Sequence, residues 1–265
     1  MKKKKKKKKG TTVVRVKNFL NMLKKVHLGG VFEECIIEVV KGSGKITAVD
    51  ITNSMIVISK RRVMSKDVTE NFGLGNLELL VKFLSSIEDE KMILKASNNQ
   101  LTIKRKDSQR KLDYLLTQPG LIATRFQEDD DEESPYEKID NMMEFSIALP
   151  ESLTKDFLTY ISLLKTKEIV LNYNSDTGLS FICGSSDDHQ FELRPDTEVE
   201  ERGDSESEEF SININGEHLS KIFSVIEFDE EEPPTLSFAE DKPIMIEEGG
   251  TAWVLVPIVD IEQGA

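Results

Sequence analysis

The chain has 265 residues, enough for one large or two ordinary domains, and with 38% of them apolar either arrangement can build a real core. No apolar run approaches the roughly 20 residues that span a bilayer, and no apolar signal core follows the lysine-rich start, so neither a membrane-spanning helix nor a secretory signal is expected. The net charge of −13 hides a division: residues 1–126 hold 27 Lys/Arg against 12 Asp/Glu, or +15, and residues 127–265 hold 8 against 36, or −28. Such asymmetry fits one surface that meets a polyanion and another kept acidic and soluble.

Lys2–Lys9 is an unbroken octalysine. Its self-repulsion predicts disorder, so residues 1–10 are set apart from the fold. The run reads either as a tag-like tail or as a tether to DNA or to a membrane surface. The first helix is predicted over Val16–Leu28, where Val16, Phe19, Leu20, Leu23 and Val26 recur at helical spacing and Gly29-Gly30 ends the pattern. Strand-like runs follow at Glu34–Val40, Ile46–Asp50, Met55–Lys60 and Lys66–Phe72. A second helix, over Asn76–Ile87, has the stripe Leu77, Leu80, Val81 and Leu84. Three more strands are predicted at Met92–Ala96, Leu101–Arg105 and Lys111–Leu116.

Pro119-Gly120, Leu121-Ile122 and the acidic run Glu128–Glu133 break this rhythm, and residues 118–142 read as a connecting linker between domains at 11–117 and 143–265. The second half repeats the first. A strand at Glu144–Leu149 leads through Pro150 into a helix striped by Leu153, Phe157, Tyr160, Ile161 and Leu164. Strands follow at Ile169–Tyr173, Leu179–Cys183 and Gln190–Leu193. After an acidic loop at Asp196–Glu209 come a strand at Phe210–Ile214 and a fourth helix striped by Leu219, Ile222, Phe223 and Ile226. The last strands are Thr235–Phe238, Ile244–Glu247 and Ala252–Val256. The expected fold is α+β: two similar domains, each built twice from a strand, a helix and further strands. A recurrence of about 60–75 residues suits a duplicated small domain better than a solenoid.

A helix on a sheet buries one stripe and exposes the other. The open faces hold Lys17, Lys24 and Lys25 on the first helix, Lys82 on the second, Lys155 on the third and Lys221 on the fourth, among Ser, Thr and Asn. Lysines and small polar groups of this kind meet phosphates without reading bases. No aromatic platform for single strands and no recognition helix accompanies them. His27, His189 and His218 lie far apart with no cysteine pattern, and no phosphate loop, nucleophile elbow or zinc motif occurs. No catalytic residue, metal or cofactor is therefore expected; the acidic runs read as solvated loops. Cys35 and Cys183 read as buried, reduced thiols in an intracellular protein.

Several stretches carry a resemblance. Trp253-Val254-Leu255-Val256-Pro257-Ile258 resembles the aromatic-x-Leu-Ala-Pro-Lys ending of the eukaryotic and archaeal DNA sliding clamps. Lys242–Glu247, with its early proline, resembles the strand before it, and Gly44–Ile58, with Ala48-Val49-Asp50, the stretch leading to their front-face pocket. The acidic Asp260-Ile261-Glu262 also fits. Over about residues 12–262 the chain resembles the two-domain clamps, the group of proliferating cell nuclear antigen and the tailed-bacteriophage clamps. Val256, Ile258 and Trp253 stand where alanine, lysine and usually tyrosine are found. The distance from the cellular clamps points to a tailed phage.

The resemblance implies a homotrimeric ring of six similar domains, a processivity factor that encircles duplex DNA, is set there by a clamp loader and tethers a DNA polymerase. It implies helices on the inner face, with Arg110 and Lys111 also facing the hole. It implies a partner-peptide pocket from Val49, Ile51, Leu121, Ile122, Pro243, Val256, Pro257 and Ile258. It implies closure between edge strands, placed at Leu112, Tyr114 and Leu116 on one side and Leu179, Phe181 and Cys183 on the other. The alternatives are a monomeric processivity factor of the same fold, holding DNA by charge, and an acidic scaffold that recruits partners without touching DNA.

Overall fold

A computed structural model describes residues 12–40, 43–61, 71–87, 91–97, 99–105, 109, 111–122, 134–184, 189–203 and 207–258. The octalysine, Arg110, the acidic run 128–131 and residues 260–262 lie outside the described residues. The chain divides into two compact units, residues 1–48 with 59–123, and residues 49–58 with 124–265. The hairpin end 49–58 thus belongs with the second unit.

The first unit runs β1 (Thr12–Arg15), α1 (Val16–His27), β2 (Cys35–Val40), β3 (Ser43–Val49) and β4 (Met55–Arg61), then β5 (Phe72–Leu74), α2 (Leu77–Ser85), β6 (Lys91–Ser97), β7 (Gln100–Arg105) and β8 (Lys111–Leu115). Each helix forms where its stripe predicts. Val16, Phe19, Leu20, Leu23 and Val26 are buried on α1, and Leu77, Leu80 and Leu84 on α2. Past α1, Gly29 and Gly30 take φ +60 and +101, a region that residues with a Cβ enter at a cost. The Asn76 side chain caps α2 by accepting from the Leu79 amide at 3.0 Å.

The two repeats of this unit exchange their first strands. β1 opens the first repeat but pairs antiparallel with β6 of the second, Thr12 opposite Leu94 and Arg15 opposite Lys91. β5 opens the second repeat but pairs with β2 of the first, Cys35 opposite Leu74. One sheet is therefore ordered β1-β6-β7-β8, with β8 at its edge. Of the strand expected over Lys66–Phe72, Phe72 lies in the short β5, and residues 62–70 lie outside the described residues. Gly73, inside β5, exchanges backbone hydrogen bonds with Thr117 at 3.1 and 3.0 Å. A Cβ there would come within 2.5 Å of Ile122 Cδ1 and 2.6 Å of the Thr117 carbonyl oxygen, so this close approach requires glycine.

The second unit follows the same plan. α3 (Pro135–Asp140) precedes β9 (Phe145–Ala148), α4 (Glu151–Leu164), β10 (Glu168–Asn174), β11 (Gly178–Gly184), β12 (Gln190–Leu193) and the two-residue β13 (Glu200–Glu201). Then come β14 (Glu209–Asn215), α5 (Gly216–Phe223), β15 (Thr235–Phe238), β16 (Ile244–Glu248) and β17 (Thr251–Leu255). First strands are exchanged here too: β9 pairs with β15, and β14 with β10. One sheet is ordered β12-β11-β10-β14. The other runs β13-β9-β15-β16-β17, and the Met55–Ile58 end of β4 lies beyond β17. Phe157 of α4 meets Phe181 and Phe223 edge-on, at 6.2 and 5.0 Å between ring centres, and is fully buried. Burying a side chain of this kind contributes about 1.5–3 kcal/mol.

Three elements differ from the sequence expectation. β1 abuts α1 with no breaking residue between them, so its Thr-Val-Val run merges into the helical pattern. α3 lies inside the stretch expected to be linker; Ser134 and Glu137 form a reciprocal capping box around Pro135 at the first turn. β13 lies inside the expected acidic loop, pairing Glu200 with Ser146 and Glu201 with Phe145.

Candidate functional site

The expected DNA-facing lysines fall into distinct environments. On α1, Lys17 and Lys24 are seven residues apart, share one face and are exposed. The helix contains no acidic residue, and neither lysine has an ion-pair partner among the described residues. Lys25 departs from the expectation: it is buried, 2% exposed. The covered arc of α1 extends past the apolar stripe through Met22 to Lys25, so this ammonium is not on the open face.

The other three helical lysines are exposed or half-buried but paired. Lys82 meets Glu78 at 2.5 Å, Lys155 meets Glu151 at 2.8 Å and Lys221 meets Glu217 at 2.8 Å, each four residues along its helix. The hydrogen bond and charge of Lys82 hold the Glu78 carboxyl below its ordinary range, and Lys221 does the same for Glu217. Lys111 sits on the edge strand β8, not on a helix, and pairs with Asp113 at 2.5 Å. The four helices therefore do not present equal charge.

The second-unit part of the expected pocket is built on one turn. Asp50 is buried, and its carboxylate accepts from the Met55 amide at 2.6 Å, the Thr52 amide at 3.1 Å, the Ser54 hydroxyl at 3.2 Å and the Thr52 hydroxyl. Burial works against its charge, but these donors overcome it and hold the carboxyl below the usual range. Asn53 takes φ +57 at the tip, and the Asp50 amide closes the turn by donating to the Met55 carbonyl at 3.0 Å. The closed turn leaves Ile51 almost wholly in water, 96% exposed.

The C-terminal run is fixed beside that turn. The Val256 amide donates to the Ser54 carbonyl at 2.9 Å, and the Ile258 amide to the Asn213 carbonyl at 2.8 Å. Val256 is exposed; Pro257, Ile258, Val49 and Pro243 are half-buried. His218 of α5 comes within 3.5 Å of the Ser54 hydroxyl through Nδ1. Burial lowers the His218 pKa, against the opposing pull of Asp50. Sequence reasoning missed Asp50, Ser54 and His218 as the frame of this site, although Asp-x-Thr-x-Ser is a turn signature. Leu121 and Ile122 belong to the first unit, where Leu121 is exposed and Ile122 is buried.

The edge strands divide differently from the expectation. β8 does end its sheet, with Leu112 and Leu116 half-buried, Tyr114 buried and Leu115, not anticipated, 77% exposed. The Tyr114 hydroxyl accepts from the Asn76 amide at 2.7 Å, which locks β8 to the cap of α2. Leu179, Phe181 and Cys183, however, lie on β11, which is hydrogen-bonded to β10 on one side and β12 on the other. That strand is no edge, and all three side chains are buried. The edges of that sheet are β14 and, beside β11, β12, where Phe191 stacks on Tyr160 of α4 with ring centres 4.3 Å apart.

Cys35 and Cys183 are free and buried, and burial pushes the Cys183 thiol up to about 11. Among the described residues no group of His, Cys, Asp and Glu could hold a metal ion, and no helix is long and apolar enough to cross a membrane.

No protein-family profile matches the sequence, and neither does any curated protein sequence. Solved structures do match. A chain from the structure of the C-terminal region of FEN-1 bound to A. fulgidus PCNA, the proliferating cell nuclear antigen, superposes with a TM-score of 0.70 at 14% identity, covering 96% of this chain and 100% of that one. The Entamoeba histolytica proliferating cell nuclear antigen gives 0.69 at 11% identity, covering 94% and 99%. A putative DNA polymerase III beta subunit from Eubacterium rectale gives 0.69 at 12% identity, covering 97% of this chain and 68% of that one. With the strand–helix–strands plan present four times, the chain has the fold of the DNA sliding clamps.

Proposed function

We propose that the chain is a sliding clamp: three copies close into a ring around duplex DNA and hold a replicative polymerase near its primer end. The observation that carries this reading is the likeness to clamp structures over 96% of the chain, with all four repeats present. Ring closure would join the β8 edge of one copy to the β12 edge of the next, helped by the exposed Leu115 and the Tyr160–Phe191 stack. α1, α2, α4 and α5 would face the DNA. Three of their lysines are damped by glutamates, which suits contact weak enough to permit sliding. The role is non-enzymatic and intracellular, in a cellular or phage replication setting where a loader opens the ring.

Partners would dock a short peptide with apolar anchors against Ile51 and the Val256–Ile258 run. The hydrogen-bonded Asp50 turn supports this, because it holds an isoleucine in water on a backbone already ordered before binding. The A. fulgidus protein, in its own structure, is bound by the C-terminal region of FEN-1.

The experiment is retention on DNA of different topology. Once assembled on a nicked plasmid, the chain should stay with the circle through gel filtration at high salt and leave after one restriction cut. Equal retention on circle and line, or no salt-resistant retention at all, would contradict the topological mechanism.

A further inference from the structure

α3 lies on the face of the sheet formed by β16 and β17. Its apolar residues follow a helical stripe: Tyr136, Ile139 and, in the turn beyond the helix, Met143. Ile139 and Met143 are buried against Met245, Ala252 and Val254, with Tyr136 and Ile56 packed on the same cluster. Polar contacts hold the rim. The Tyr136 hydroxyl donates to the Glu247 carboxylate at 2.6 Å. The Arg202 guanidinium donates to the Asp140 carboxylate at 2.6 Å and to the Ser237 hydroxyl at 3.3 Å.

The β16–β17 ladder places this seat beside Pro243 and Val256. Met245 is opposite Val254, and Glu247 is opposite Ala252. Side chains two residues apart share a face of a strand, so Pro243 and Val256 extend these two rows by one step. α3 covers the inner steps, while Val256 is exposed and Pro243 half-buried. The surface proposed above for docking is thus the open end of a strip whose other end a helix of this chain already fills. That helix has six residues. Isolated helices shorter than about 12–15 residues are marginal in water, so α3 keeps its form through its seat and its capping box.

We propose that α3 is an occupant of the docking strip in cis, and that a partner gains the whole strip by putting a short amphipathic segment in its place. This rests on the docking reading above and names the regulation of that surface. It also names the chemistry that the strip takes, which is the pattern of Tyr136, Ile139, Asp140 and Met143. A matching segment carries an aromatic hydroxyl for Glu247, an apolar side chain three residues on, a carboxylate four residues on for Arg202, and a second apolar side chain seven residues on. α3 runs within a few residues into β9, and so short a tether gives an effective concentration on the order of millimolar. Only a segment that matches the pattern well, or is itself held close, displaces it.

The test offers the full-length chain a synthetic peptide of residues 134–144, the sequence of α3 itself. In the unaltered chain the Lys138 and Asn141 amides donate to the Ser134 and Glu137 carbonyls. Excess peptide should speed hydrogen exchange at these amides by about threefold or more. Ile139→Ser with Met143→Ser should empty the seat and bind the labelled peptide about tenfold more tightly than the unaltered chain does. Tyr136→Phe with Asp140→Asn loosens only the rim and leaves Glu247 and Arg202 to receive the peptide. This variant keeps the buried cluster and decides the matter if the first one melts early; it should gain about threefold in peptide affinity. A peptide carrying the same two changes should lose that gain. Unchanged exchange at Lys138 and Asn141 would overturn the proposal. So would a peptide affinity that stays equal, or falls, when the rim is loosened, because α3 would then be a wall of the site and not its occupant. The ring reading fails separately. A chain whose α3 yields to the peptide, yet which shows no difference between circle and line, keeps this proposal and loses the ring. Topological retention with an unresponsive α3 keeps the ring and loses this proposal.

Discussion

α1 and α4 open equivalent repeats in the two units, yet they hold charge in opposite ways. α1 presents Lys17 and Lys24 with no acid on the helix, whereas α4 pairs Lys155 with Glu151 and adds Asp156 beside it. α2 and α5 follow α4. The same architecture thus carries one bare basic helix, α1, beside a paired helix in its own unit and two paired helices in the other. The pairing also sets a cost in the paired helices, because a phosphate there must first displace a carboxylate.

The comparison presumes that each unit is intact, and the largest expected effect tests that. Phe157→Ala removes the ring shared by α4, α5 and β11 and should cost the second unit about 3–5 kcal/mol, read as a lowered denaturant midpoint. A loss under about 1 kcal/mol would mean that the α4–α5 layer is not packed as described. Next, Asp50→Ala strips the turn at residues 50–55 of its acceptor and should cost about 1–3 kcal/mol. The folded Asp50 carboxyl titrates below its unfolded value, so its stabilisation is complete above about pH 4 and fades as pH falls through the folded pKa. The stability gap between wild type and Asp50→Ala should therefore be constant from neutral pH to about pH 4 and close in stronger acid. A gap that persists unchanged in strong acid would count against the carboxylate as its source.

Charge reversal then addresses the helices directly. Lys17→Glu with Lys24→Glu should weaken binding to linear duplex by about tenfold, and Lys155→Glu with Lys221→Glu by only about threefold. Equal losses would erase the distinction between α1 and the paired helices. The smallest effect runs the other way. Glu151→Gln with Glu217→Gln frees two lysines and should strengthen DNA binding by about two- to threefold while steepening the salt slope. No gain would show that the i,i+4 pairs do not restrain these lysines.

Much of the fold was legible because the helices carry most of their buried stripe in the sequence: Val16, Phe19, Leu20, Leu23 and Val26 are buried as their spacing predicts, as are Leu77, Leu80 and Leu84, while Val81, Tyr160, Ile161 and Leu164 are half-buried. The fourfold plan was legible for the same reason. The strand exchange was not, since β1 carries no local mark of pairing with β6 rather than with its own repeat. The exposed edge was also hidden. Alternation along Leu179–Cys183 and along Gln190–Leu193 looks alike, and only the ladder reveals that β11 is flanked on both sides. Lys25 misled because a lysine can lie along a covered surface, and the helical stripe does not predict where cover from neighbouring elements will extend. Ile51 and Val256 were singled out only through the resemblance, Ile51 in the Gly44–Ile58 stretch and Val256 in the Trp253–Ile258 run. The turn that presents Ile51 was written in Asp50, Thr52 and Ser54, whose side chains favour such closures.

The most direct measurement for the ring is native mass at micromolar concentration, in the absence of DNA. The account predicts a species of three times the 30.0 kDa chain mass, reduced to single chains when the β8 or β12 edge is blocked with proline. A single-chain mass for the unaltered protein would contradict the ring.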